Sequence, residues 1–289
     1  MPSEIFWPYA AGAVVALAGL LRLRDQAWSA DWREKVVALG PLFVAVPLAV
    51  FSGEHFASAK DLMQIVPKWI PGPLFWTYFV GVALISAATR FALQQKEGWS
   101  APLLSLMLFL FVVLISVPAA RENPRDRLTW ALLLRDLSFS AGALAFAGTQ
   151  VHIWPATVKR MAIRTGQTVI AVTTIFYGLM QLLHPDHVPG VPLEKVTPAW
   201  IPGRIFWSYF AGVVFLAAGA GLLANRRTRL AATGLGVMVV VLVVFVYLPF
   251  WAANLANIEG PNYFFDTLMF GGAVLLLAQA MPKETLSHV

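Results

Sequence analysis

The chain has 289 residues, of which 58% are apolar and only 12% are Asp, Glu, Lys or Arg, about half the charged share of an ordinary soluble domain. With 21 Lys+Arg, 15 Asp+Glu and a formal net charge of +6, it has too little charge to clothe a soluble globule and too much hydrophobicity for a disordered chain. What remains is an integral membrane protein, and the absence of cysteine removes thiolate metal sites and iron–sulfur clusters from what its own side chains can build.

Nine stretches are apolar enough, and close enough to 20 residues, to span a bilayer. They cover residues 5–21, 36–51, 74–93, 102–117, 132–149, 168–183, 205–224, 230–251 and 264–280. The first has Glu4 before it and Arg22 and Arg24 after it, the pattern of a retained span rather than a cleaved signal peptide. The second contains Gly40, Pro41 and Pro47 and is expected to be short or bent, since proline removes a backbone bond. Connections between spans are short, so no soluble domain of ordinary size fits.

The third and seventh spans open on an internal repeat. Residues 69–78 read WIPGPLFWTY and residues 200–209 read WIPGRIFWSY, differing only at Pro73/Arg204, Leu74/Ile205 and Thr77/Ser208. At the same offset of 131, Phe79 matches Phe210, Gly81 matches Gly212 and Pro118 matches Pro249. At nearly that offset, Asp136 matches Asp266 and Gly142 matches Gly272, while Phe51-x-Gly53 resembles Phe176-x-Gly178. Each copy then holds four spans, an even number, so both have the same orientation and form a parallel repeat. Residues 5–12, IFWPYAAG, partly repeat LFWTYFVG at 74–81. The expected architecture is all-α, with about nine transmembrane helices: an extra N-terminal helix and cytoplasmic loop (1–35) and two parallel-repeat four-helix bundles (36–150 and 165–282).

Lys and Arg counts orient the chain. One side carries thirteen of them, in loops 22–35, 90–96, 159–164 and 226–229 and after the last span; the other carries seven. The rule that positive loops stay inside puts the N-terminus outside and the C-terminus in the cytoplasm. The positive charge is thus topology, and no basic run with interleaved aromatics suggests nucleic acid. The lipid bilayer is the first partner.

The few polar residues near the outer side are the candidate ligand or proton-handling groups. Glu54 and His55 follow the second span, and His184-Pro185-Asp186-His187 ends the sixth. Imidazole and carboxylate can relay protons, or hold a metal, for which His55, His184 and His187 are the weak candidates; hydrogen-bonded caps are the plain alternative. Asp136 and Asp266 lie about one turn inside their spans. A carboxylate there is costly and usually faces a partner. Arg135 is adjacent to Asp136, but neighbours i and i+1 point to different faces, so Arg121 or Arg125 is the expected partner of Asp136, and Asn254 or Asn262 that of Asp266. A His55/His184 haem pair is disfavoured. The Trp- and Pro-rich span starts read as an aromatic belt on a rigid turn, or as a ligand platform. No phosphate loop, HExxH or GxSxG motif occurs, so catalysis is left open.

PLAVFSGEHF (47–56) with VPKWIPGPLFWTYFVGVAL (66–84), and IFYGLMQLLHPDHVPG (175–190) with WIPGRIFWSYFAGVV (200–214), resemble two tandem copies of the DoxX-like membrane proteins, distantly the DoxD-type subunit of thiosulfate:quinone oxidoreductase. The resemblance implies four-helix membrane bundles in a bacterial cytoplasmic membrane, a quinone as cofactor and a redox partner subunit. The lack of cysteine argues against direct thiol chemistry. Three functions stay open: the membrane subunit of a quinone-linked redox system, a small-molecule or lipid binder or permease with a site between the bundles, and a structural or assembly subunit, alone or as an oligomer.

Overall fold

A computed structural model describes residues 3–24, 31–95, 98–191, 196–253, 255 and 259–283. These form nine helices long and apolar enough to cross a membrane. They are α1 Ser3–Arg24, α2 Trp32–Ala57, α3 Pro73–Ala92, α4 Ser100–Glu122, α5 Arg127–Gln150, α6 Ala156–Leu183, α7 Arg204–Leu223, α8 Thr228–Ala252 and α9 Glu259–Ala280. They run alternately up and down. The end of the bundle where α1 begins is called the N-face, and the end where α9 finishes the C-face.

Local chemistry sets the ends. Asp31 caps α2 by accepting from the Arg33 amide, so this helix starts ahead of its apolar run and then breaks at Leu39, before Gly40 and Pro41. Asp126 caps α5, accepting from the Leu128 and Thr129 amides, which satisfies donors the helix leaves unpaired. Helix α6 also begins well before its apolar stretch. Residues 159–164, expected as a loop, belong to it. They form an amphipathic start, with Ala162, Gly166, Gln167 and Ile170 buried and Arg160 and Arg164 exposed, a pattern that hydropathy averaging dilutes. The WIPG turns need glycine: Gly72 and Gly203 have φ of 68° and 65°, where a Cβ is strained.

The repeat is visible in the backbone. Helices α3 and α7 have bounds 131 residues apart, and α4 and α8 each contain a π-helical turn at the same offset, Val112–Ser116 and Val243–Tyr247. Pro118 and Pro249 follow these turns. Proline has no N–H and its ring clashes with the carbonyl four residues back, and a widened turn relieves that clash.

The two repeats interlock. Helix α2 packs on α3 and on α9, whereas α6 packs on α7 and on α5, so the first helix of each repeat lies against the last helix of the other. Helices α5 and α9 meet at the centre, and α1 covers α2, where a Cβ on Gly53 would lie 2.5 Å from the Pro8 Cα. At the central seam a Cβ on Gly142 would come within 2.7 Å of the Ala273 Cα and carbonyl. Gly272, matched to Gly142 by letter, instead faces Val44 on α2. The register along α5 and α9 is therefore 131 throughout, so Gly142 corresponds to Ala273, and Arg135, not Asp136, corresponds to Asp266.

The seam gives a direct test. Gly142→Ala should destabilise the protein by roughly 1–3 kcal/mol, because the two backbones must separate. Gly234→Ala, which meets nothing within 4 Å, should be neutral or stabilising by up to about 1 kcal/mol. Thermal unfolding in detergent compares the two.

Candidate functional site

Eight residues into α5, about 12 Å from its start, the side chain of Arg135 turns into the central seam. Its Nη1 donates to Asp266 Oδ2 on α9 at 2.5 Å, and its Nε and Nη2 both lie 3.0 Å from Asp136 Oδ1. The three side chains are 16%, 13% and 27% exposed, so the ions have largely left solvent. The guanidinium also lies over the Phe139 ring.

This differs from the partners expected from sequence. Arg135 itself pairs with Asp136, because the long arginine stem curls back over the helix surface and removes the angular separation that adjacent Cα positions impose. Arg121 is exposed at the end of α4 and Arg125 lies in the loop before α5. Asp266 takes Arg135. The Asn262 Oδ1 is buried with no hydrogen bond among the described residues, and Asn254 lies outside the described residues. Both carboxylates sit two turns inside their helices rather than one, since α5 and α9 start earlier than their apolar runs.

The π-turns finish the site. Ser116, the last residue of the first, donates to Asp136 Oδ2 at 3.2 Å. Tyr247, at the same place in the second, lies near Thr267, the counterpart of Asp136. The Tyr247 hydroxyl also donates to the Pro189 carbonyl at 2.7 Å, and Tyr177, fully buried on α6, donates to Ala131 O at 2.7 Å. Tyr177 lies within electrostatic reach of Arg135, Asp136 and Asp266.

Glu54, partly buried near the end of α2, interacts electrostatically with Asp266 and with Tyr9 of α1. It shares with Glu4, Tyr9 and Pro261 a cavity of about 10 Å³, the space of a single water at most. The Tyr9 hydroxyl accepts from Trp251 Nε1 at 2.9 Å. A file of ionisable side chains thus runs inward from the N-face: Glu4, Tyr9, Glu54, Asp266, Arg135, Asp136.

The histidines lie apart from that file. His55 Nδ1 faces Phe51 O at 2.7 Å, and its Cβ lies against Gly81 of α3. His184 ends α6 before Pro185, as proline requires. His187 is held by Arg127, whose Nη2 is 2.8 Å from its Nε2, and by Asp186, 3.0 Å from its Nδ1. A guanidinium only donates, so Nε2 accepts and Nδ1 carries the hydrogen toward Asp186. That bond holds the Asp186 carboxyl below its ordinary range, so the Asp186–His187 bond has its charged acceptor at neutral pH and weakens as pH falls through the lowered value. Gln181 and Ser208 both donate to His187 O. Of the predicted residues, the fold therefore gathers Glu54, Asp136 and Asp266 into one site and His184, Asp186 and His187 into a second, a loop fastening. Among the described residues no group of three or more His, Asp or Glu is arranged to hold a metal ion.

No protein-family model matches the chain, and no curated protein or solved structure matches it.

Removing Arg135 leaves Asp136 and Asp266 buried without their cation. Arg135→Met should cost about 3–5 kcal/mol. Arg135→Met combined with Asp266→Leu should recover part of that loss, because an apolar pair of similar volume replaces a broken ion pair. Chemical denaturation of the single and double variants measures both.

Proposed function

We propose that this integral membrane protein handles protons for a quinone-linked redox system, through a polar site on α2, α5 and α9 at its outer side. The observation that carries this reading is the file from Glu4 to Asp136, in which Asp136 and Asp266 share one guanidinium and Glu54 lies within electrostatic reach of Asp266. Ionisable groups inside a membrane bundle are costly and mark proton or ion paths. One guanidinium cannot balance Asp136, Asp266 and Glu54 together, so a proton can be taken up where like charges crowd. The hydroxyl of Tyr9 within the file and that of Ser116 beside it can both donate and accept.

The likeness of the two repeats to DoxX-like membrane proteins supplies the quinone and the redox partner subunit in this reading. The excess of Lys and Arg at the C-face supports a cytoplasmic C-terminus and an outward-facing file.

Gently purified protein in nanodiscs should carry an isoprenoid quinone. Its infrared pH titration should show a carboxylic C=O band that Glu54→Gln or Asp266→Asn removes. A quinone-free preparation whose titration is unchanged by both substitutions overturns the reading.

A further inference from the structure

The two repeats differ at one seam. In the second, Phe245 of α8 stacks on Trp207 of α7, with ring centroids 6.4 Å apart and planes 11° from parallel, and α7 packs more closely on α8 than α3 does on α4. The matching residue in the first repeat is Leu114, which cannot reach across to Trp76 in that way. Helices α3 and α4 leave a lateral cleft of about 680 Å³, walled by Phe79, Ala83, Leu103, Leu106, Met107 and Leu110.

The cleft has a polar end. Arg90, Gly98 and Ser100 line it at the C-face. The same three residues line a pocket of about 140 Å³ that continues inward past Gln94, Gln95, Gln150 and Gln279. Gly98 has φ of 140°, and a Cβ there would fall 2.7 Å from Arg90 Nη2, so only glycine leaves the guanidinium in this position. In the second repeat this end of the seam has its cation on α8 instead. Arg229, which stands where the first repeat has Gly98, turns inward to Glu34 and to the carbonyls of Ala278 and Met281. The place of Arg90 is taken by Gly221.

We propose that the α3–α4 cleft binds one acyl chain of an anionic phospholipid, whose phosphate is held by Arg90 at the C-face. The dimensions fit a lipid. From Phe79 to Arg90 is eleven residues, about 16 Å along the helix, close to half of a hydrocarbon core about 30 Å thick. The cleft is therefore one leaflet deep, the reach of an acyl chain, whereas a helix of a second copy would run the full span. Lipid tails gain little from leaving one apolar surface for another, so selectivity rests on the head. A guanidinium suits phosphate through paired N–H donors, and the glutamine amides offer further donors to the glycerol esters. This site is separate from the outer ion file and does not rest on the function proposed for it.

Native mass spectrometry of protein transferred into micelles doped with either phosphatidylglycerol or phosphatidylcholine tests the proposal. One phosphatidylglycerol per chain should be retained, and phosphatidylcholine retained far less. Leu103→Trp, which fills the cleft, and Arg90→Gln should each lower retention about tenfold, the loss expected for one good contact. Arg90→Lys should weaken it less, and Val213→Trp, on the lipid-facing side of α7, should leave it unchanged. Equal retention of both lipids, equal retention by the wild type and Leu103→Trp, or a dimer that Leu103→Trp abolishes would each overturn the proposal, the last by showing a second copy in the cleft.

Discussion

Charge inside a bilayer must be neutralised where it stands, and in this protein that requirement falls on Arg135. Its guanidinium is largely out of solvent and bonds a carboxylate on its own helix and one on α9. The seam it occupies joins the two repeats, and the seam's close backbone approach at Gly142 and Ala273 lies two turns further in on the same face. A small-residue contact brings the helices together, and an ion pair then fixes their register. The rest follows from that meeting: α2 lies on α9, α6 lies on α5, and the first π-turn directs the Ser116 hydroxyl to Asp136.

Much of this organisation can be read from the amino-acid sequence, because hydrophobic length and repetition are strong signals. All nine spans and the parallel repeat are of this kind. The starts of α5 and α6 are not, since a capping aspartate and an amphipathic first turn lie outside an average of hydropathy. The alignment of Asp136 with Asp266 fails for a related reason. Matching identical letters favours Asp over Asp and Gly over Gly, while packing keeps the helices at a constant offset that sets Arg135 beside Asp266. Arg135 is discounted in sequence because adjacent residues diverge around a helix. The length of an arginine side chain overcomes that divergence, and no neighbour rule contains it.

The candidate polar residues divide in the same way. Glu54, Asp136 and Asp266 come together because each lies near the N-face on a helix of the central packing. His184, Asp186 and His187 also lie at that face, but Pro185 ends the helix among them, and Arg127, Gln181 and Ser208 make the segment a fastening between α5, α6 and α7. Only a three-dimensional arrangement separates the ion file from the fastening, since both use the same few residue types at similar depth.

The offset of 131 has one more consequence. Arg135 and Asp266 hold the same position in the two repeats, and they face each other across the seam where the repeats meet. Two first repeats assembled side by side would set guanidinium against guanidinium, and two second repeats would set carboxylate against carboxylate. The copies are therefore no longer interchangeable: each has become the other's counter-ion, and covalent linkage in one chain ensures that they are always made in equal number.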